Sequence, residues 1–362
     1  MAGAGSSKVR WLAVAACASV ALWFGARSSG VGGEAPRARL GCLPFPGPMT
    51  LWCVADPDDV GRRASAQRGI LYTCRAGFID LAHLRETADW TRFVHDRVRV
   101  AFERGERAVT FSDGCGAEYR LELADPAGGE RGDDAAARRE RAATLIAQRA
   151  SYLVQVWHEA ATWFGARTVP FIPEDRSSFT YDDGVAHVLG VRLAAAALDA
   201  VNARRSPSFE DALDDALARE LARLRAVHAA DTIRATDAVR GRWWRDGTCV
   251  KRQMDVGLDT GVVVPWIVAG IGLCDECPAE PQALPWFDPE ARRVLDDALL
   301  AVRMRGAFID AATRAESETD RAGEAPWLAA DDVLRTSLRA VHDAMDRLLG
   351  RGFDDPSAIE RP

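Results

Sequence analysis

The chain has 362 residues, of which 48% are hydrophobic and 27% charged. That is enough apolar material for a full core and an ordinary globular composition. A net charge of −7 argues against nucleic acid as a partner, because phosphate binding needs an excess of basic groups. The 46 basic residues include only two lysines, Lys8 and Lys251. Arginines and carboxylates are mixed along the chain, the pattern of solvated helix faces.

The N-terminus reads as an export signal. Lys8 and Arg10 precede an apolar, charge-free run from Trp11 to Ala26, and Arg27, Ser28 and Ser29 close it. A positive start, a short apolar stretch and a polar exit define a secretory leader. The run is shorter than the ~20 residues of a comfortable spanning helix. Residues 1–26 are therefore expected to be a signal peptide or membrane anchor. Val14-Ala15-Ala16-Cys17 has the shape of a lipobox, which would make Cys17 an acylated N-terminus. Residues 27–41 form a Gly/Pro/Arg linker, and 42–352 are expected to fold as one globular domain. The expected location is the periplasm or outer envelope, and the expected partners are the cell envelope and its membrane.

Cysteine usage agrees with export. Outside the leader stand Cys42, Cys53, Cys74, Cys115, Cys249, Cys274 and Cys277. In an oxidising compartment most should pair, with connectivity left open by the sequence. Cys274 and Cys277 are spaced as a redox pair, but no thioredoxin-like βαβ pattern surrounds them, so a structural bridge is expected. No paired Cys-x-x-Cys clusters exist to form a zinc ribbon.

In chain order, Gly69 to Cys74 reads as a buried strand and Phe78 to Glu103 as a long helix. Ala108 to Ser112 and Tyr119 to Glu122 suggest a hairpin around Asp113-Gly114. A second long helix is predicted over Ala137 to Phe164, then a Pro-containing loop over Val169 to Ser178. A third helix is predicted over Asp182 to Asn202. A fourth starts at Ser208, with Asp211 three residues on as a capping partner. Thr248 to Met254 and Val262 to Ile271 are candidate strands. Asp288-Pro289 opens a further helix, and Asp331 to Leu349 forms the last. The fold class is α+β, mostly helical with a small antiparallel sheet.

Three helices carry inward-facing histidines. At 100° per residue, Arg85, Asp89, Arg92, Asp96, Arg99 and Glu103 form the solvated face of the first, while Asp80, His83 and Thr87 continue its apolar stripe. The second is apolar nearly all round and is expected to be central. One lane of it, Thr144, Ala147, Ser151, Gln155, His158 and Thr162, is polar and uncharged, which implies a hydrogen-bonded or wet cleft. On the third, Asp183 and His187 share an inward face. His228 and His342 look like surface residues.

Two readings follow. Asp80, His83 and His158, with His187, can converge on a metal such as zinc, whose open position would hold an activated water. Glu159 would then be the general base. His158-Glu159-Ala-Ala-Thr162 is similar to the start of an H-E-x-x-H zinc-hydrolase helix, but Thr162 stands where the second histidine belongs. In the other reading the Asp and His side chains only satisfy one another in a core. A third possibility is a cysteine hydrolase using Cys74, which sits at a strand end before a helix, where a thiol pKa falls. A disulfide at Cys74 is the competing expectation.

Four segments resemble one family. They are Tyr72-Thr-Cys-Arg-Ala-Gly-Phe-Ile-Asp-Leu-Ala-His83 with Ala88-Asp-Trp90, Trp157-His-Glu-Ala-Ala-Thr-Trp-Phe-Gly165, Ser178 to Gly190, and Asp255-Val-Gly-Leu-Asp259 through Trp266. The family is a bacterial envelope-protein family catalogued as domain of unknown function 4056, and the resemblance covers roughly residues 40 to 285, leaving C-terminal helices over 288–350. It implies an exported, often lipoprotein-like protein and no particular activity. In the family pattern the position of His187 is often Asn, which favours Asp80, His83, His158 and Glu159 as the site. A non-enzymatic envelope scaffold or binding protein remains an alternative to either hydrolase.

Overall fold

A computed structural model describes residues 35, 36, 39, 41–47, 52–60, 67–113, 116–167, 174–274, 281–288, 291–306, 309 and 326–356. The leader, Cys17, Cys115, Cys277 and the Asp113-Gly114 turn beyond Asp113 lie outside these residues.

A short antiparallel hairpin begins the family-like region. β1 (Ile70–Thr73) pairs with β2 (Gly77–Asp80), Ile70 opposite Asp80. Phe78 and Ile79 are therefore strand residues, and the first long helix starts later than its apolar stripe suggests. That helix, α1 (Leu81–Arg104), is capped by Asp80, whose side chain accepts from the Ala82 and His83 amides. The cap meets two amide donors that the first turn cannot satisfy internally. At the other end Gly105 takes the left-handed conformation, φ 70°, that closes a helix without a Cβ penalty.

β3 (Ala108–Ser112) and β4 (Ala117–Leu123) form the expected hairpin. α2 (Asp133–Trp163) starts earlier than predicted, with Asp133 and Asp134 in its first turn, where the helix dipole favours negative charge. α3 (Asp183–Asn202) and α4 (Phe209–Leu224) follow, α4 capped by Ser208 accepting from Asp211 N. α5 (Ala229–Ala238) comes next, with His228 at its N-cap.

The candidate strands beyond it shrink to two residues each. β5 (Trp244–Arg245) pairs with β6 (Thr248–Cys249), and β7 (Val262–Val263) with β8 (Leu284–Pro285). α6 (Arg292–Ala298) is short and runs into β9 (Leu299–Gly306), a strand where a helix was expected to continue. β9 pairs with β4 along its length and with β10 (Leu328–Ala329), giving an antiparallel sheet of order β10-β9-β4-β3. Partner availability on β4 decides its state, which local pattern does not reveal. α7 (Ala330–Leu349) is the last of seven helices among the described residues. The fold class is α+β, mostly helical, with small antiparallel sheets.

One main apolar core joins α1, α2, α3 and the four-stranded sheet, and reaches Leu334, Val341 and Met345 on α7. α2 is central, as expected: Leu153 is 1% exposed and Tyr152 and Trp157 are fully enclosed. α3 is long and apolar enough by composition to cross a membrane, yet most of it is buried in this core. A second, aromatic core of Tyr72, Phe78, Tyr181 and Trp243 packs behind the β1–β2 hairpin, with ring centroids 4.9 to 5.2 Å apart along the chain of contacts.

Two disulfides tie the fold. Cys42 pairs with Cys53, and Cys74 with Cys274 across 200 residues. Cys249 is free and buried. Bridges of this kind belong to an oxidising, non-cytoplasmic compartment. Two expectations change here. Cys274 bonds to Cys74, not to Cys277. Arg85, assigned to a solvated face, is buried and reaches Asp214 at 2.6 Å, because α4 covers that face.

Substituting Leu153 by Arg should leave the chain without cooperative thermal unfolding, since a fully buried, unpaired guanidinium costs several kcal/mol. A normal melting transition would show that α2 is not the centre of the core.

His95 was overlooked in the sequence. Its ring is almost fully buried between Glu140, 2.7 Å from Nε2, and Asp96, 3.1 Å from Nδ1. Burial works against its charge, but the two carboxylates outweigh it and raise its pKa; Glu140 is lowered in return. The raised histidine stabilises the fold below its unfolded pKa of ~6.5 and loses that contribution as pH rises through its folded value. The lowered Glu140 contributes above its unfolded pKa of ~4.3 and loses that as pH falls. The pair therefore contributes most between these values. His95→Gln should cost about 1–2 kcal/mol at pH 6 by denaturant unfolding, and measurably less at pH 9. A cost independent of pH would mean the ring is neutral.

Candidate metal centre

The strand-to-helix junction fixes the first residue of the site. Asp80 ends β2 and caps α1, which places His83 in the first helical turn. Both Asp80 oxygens are engaged: Oδ1 accepts from Ala82 N at 2.6 Å, and Oδ2 from Cys42 N at 2.6 Å. Asp80 is thus a cap and an anchor beside the site rather than a member of the ligand cluster.

The second histidine arrives through a helix crossing. A Cβ built on Gly190 of α3 would lie 2.6 Å from Leu84 O and 2.6 Å from Thr87 Cβ on α1. Only glycine lets the two helices approach this closely. The contact brings His187, one turn before Gly190, against Thr87. The Thr87 hydroxyl donates to His83 O at 2.7 Å and lies 3.1 Å from His187 Nδ1. This contact orients the His187 ring, so that Nδ1 is turned to Thr87 and Nε2 to the interior of the site.

The inward-facing Nε2 meets a carboxylate. Glu159 of α2 places Oε1 3.4 Å from His187 Nε2 and 3.9 Å from His83 Nδ1. Its other oxygen accepts from Phe179 N at 2.8 Å. Phe179 holds a left-handed φ of 55°, a strained conformation for a bulky residue. It is kept there by this bond and by Gln253 N, which donates to its carbonyl at 3.0 Å. His83, Glu159 and His187 bring one ligand atom each within 4.8 Å of one another. The two rings are 5.5 Å apart and inclined at 57°.

The surroundings are rich in buried carboxylates. Asp80, Glu159, Asp182 and Asp183 are all buried. Asp183 Oδ2 takes the Thr180 amide and hydroxyl at 2.7 and 2.8 Å. With the Thr180 hydroxyl so directed, both oxygens of Asp182 lack a hydrogen-bond partner, as does His83 Nδ1. Burial and the neighbouring Asp183 and Asp80 push the Asp182 carboxyl well above its ordinary range; burial and Glu159 do the same to Asp183. Glu159 is shifted down. Burial opposes its charge, but contact with His187 and the nearness of His83 and His158 outweigh it. Burial holds His187 toward its neutral form. His83 is shifted up, because Asp80, Glu159, Glu86 and Asp182 together overcome its burial.

The residues fit a divalent cation. Two ligands at ~2.0–2.1 Å from zinc and at the tetrahedral angle stand ~3.3–3.4 Å apart. The His187–Glu159 separation already has that value, and the His83–Glu159 separation exceeds it by about half an ångström. Two neutral donors and one carboxylate leave a coordination position open.

Of the sequence-derived candidates, the structure brings His83, His187 and Glu159 together. His158 is half-buried, 100° round α2 from Glu159, and stands on the side of Glu86 rather than in the cluster. Glu159 stands among the three groups that could hold a metal, a different place from the general-base role expected of it. Cys74 is removed as a nucleophile, since its sulfur is bonded to Cys274 and cannot form a thiolate. Thr87, Gly190 and Phe179 orient the cluster, a role the sequence did not give them: Thr87 stood only on the inward stripe with Asp80 and His83, and Phe179 and Gly190 only within a family-like segment; the small residue at 190 on a buried helix was the one available signal. A separate groove of about 1160 Å3 lies at the far end of α1, between Arg92, Arg139, Glu140 and Asn202. Its charges are largely matched internally, Arg92 with Glu210 and Arg139 with Asp125.

This arrangement sits inside a recognised sequence family. Residues 54–254 match the model of a protein family of unknown function, DUF4056, and the chain belongs to that family. The matched region spans β1 through α5 and every residue of the cluster. No curated protein and no solved structure matches the chain.

Gly190→Ala should destabilise the protein by about 1–3 kcal/mol, since the added methyl meets backbone that cannot yield. The readout is a fall in denaturation midpoint; an unchanged midpoint would mean that the α1–α3 approach is not tight.

Proposed function

We propose that His83, Glu159 and His187 hold a divalent metal, zinc by the chemistry of the donors, and that the protein is a metal-dependent hydrolase of the cell envelope. The observation that carries this reading is the convergence of one ligand atom each from His83, Glu159 and His187 to within 4.8 Å of one another. Two imidazoles and a carboxylate gathered in a buried site are a donor set that a divalent cation takes. A catalytic zinc takes two imidazoles and a carboxylate and keeps one position for water, whose pKa it lowers. Asp182, whose carboxyl is unengaged and lies in the electrostatic reach of His83, is the candidate proton-transfer group. Export rests on the Lys8/Arg10 leader and the disulfides; membrane attachment rests on the apolar run and Cys17.

The near-complete enclosure of Glu159 and His187, 3% and 1% exposed, favours a second reading. A closed metal would be structural, and the protein a non-enzymatic scaffold or binding protein.

Elemental analysis of the purified chain should find about one equivalent of zinc. His83→Ala, Glu159→Gln and His187→Ala should each fall below about a tenth of that, with α-helical content retained. Metal-free wild-type protein after zinc supplementation would end the proposal. Chelation separates the two readings: a structural metal takes thermal stability with it, whereas a catalytic one leaves the fold standing.

A further inference from the structure

The metal trio is covered by a strap. Residues 41–47 cross the N-terminal end of α1 and are tied down at several points. Arg39 N donates to Glu86 at 2.6 Å and the Arg39 guanidinium to Asp89 at 2.6 Å. Cys42 N donates to Asp80 Oδ2. Tyr181 Oη donates to Pro44 O at 3.0 Å, and Phe45 is fully buried against Trp244. Between these anchors the backbone at Gly41 lies directly on the His83 ring. A Cβ there would stand 2.5 Å from His83 Nε2 and 2.7 Å from its Cδ2.

The strap therefore presses the outer edge of the imidazole, and this turns Nδ1 inward toward Glu159 and His187. His83 is the one member of the trio with exposure of its own, 15% of its side chain. With the strap gone, its Nε2 edge would face solvent and the ring would be free to swing out. What holds the strap covalently is the Cys42–Cys53 disulfide. Cys53 belongs to a segment fixed on β1: Ile70 N donates to Cys53 O at 2.9 Å, and Ala55 N to Ile70 O at 3.0 Å. The bridge thus links the strap to the same hairpin that ends in Asp80.

We infer that the strap is a redox-latched clamp on the metal centre, so that the oxidised Cys42–Cys53 bridge holds His83 in ligand position and its reduction loosens the bound metal. This rests on the reading that the trio binds a metal. The step needs a dithiol reductant. Its two thiols give up two electrons and two protons and join as a disulfide, while Cys42 and Cys53 become thiols. The other bridge, Cys74–Cys274, lies outside the strap, and the Cys42/Cys53 double variant leaves it intact.

Two measurements on the full chain test this. The first is modification of His83 by diethyl pyrocarbonate, followed by mass spectrometry, with buried His95 as internal reference. The second is the rate at which zinc passes from the loaded protein to an excess of EDTA. Cys42→Ser/Cys53→Ser removes the latch and leaves no unpaired partner to scramble. It should raise both rates about tenfold or more relative to oxidised wild type, as should treatment of the wild type with a dithiol. Gly41→Val is the second variant. It keeps the disulfide but cannot seat the strap on the ring, so it should raise the same two rates. Unchanged His83 labelling in both variants would overturn the clamp, whatever the zinc result. Faster labelling in a protein that never binds zinc would overturn the metal reading, and redox control of the metal with it. Faster labelling with unaltered zinc release would show a strap that does not govern the metal, and would equally overturn the inference.

Discussion

A carboxylate buried at the centre of a three-helix core is the constraint to which the rest of the site answers. Glu159 lies on the buried central stretch of α2, where an isolated ionised group would be prohibitively costly. Each neighbour meets part of that demand. Phe179 accepts a strained backbone so that its amide can reach one oxygen. His187 and His83 stand at the other. Thr87 fixes which nitrogen of His187 looks inward, and Gly190 lets α3 come close enough for the contact to exist. Loss of the central charge would leave a strained turn and two imidazoles without the carboxylate they face.

The same demand explains the crowding of acids nearby. Asp182 and Asp183 sit side by side at the start of α3, where the helix dipole favours negative charge, yet burial and mutual repulsion push both toward the neutral form. Only Asp183 is capped by local hydrogen bonds. An assembly with four buried carboxylates and two imidazoles is electrostatically unfinished, and a doubly charged ion is the simplest group that completes it.

Much of this was legible beforehand in the helix phases. Asp80 and His83 one turn apart, Asp183 and His187 one turn apart, and a polar lane on an otherwise apolar helix pointed to the three helices that carry the candidate cluster. The choice between His158 and Glu159 was not legible. They are adjacent in sequence and 100° apart in space, and only the crossing angle with α1 and α3 determines which enters the cluster. The family pattern had argued against His187, whereas the close approach at Gly190 puts it in the middle. Strand content was misjudged for a similar reason. Leu299–Gly306 is a strand because β4 offers an open edge, and no local periodicity encodes that.

The Cys74–Cys274 bridge bears on how such a chain is made and kept. Its two ends are separated by most of the helical core and by 200 residues, so the second cysteine is synthesised long after the first. The bond has to await a folded body that brings them together; it seals an arrangement that packing has already chosen. Once closed, it shortens the unfolded chain's freedom by a loop whose entropy corresponds to about 5 kcal/mol in the chain-entropy picture. It also makes the protein forgiving of proteolysis: a cut in any exposed turn between those two residues leaves the halves covalently joined and able to close again.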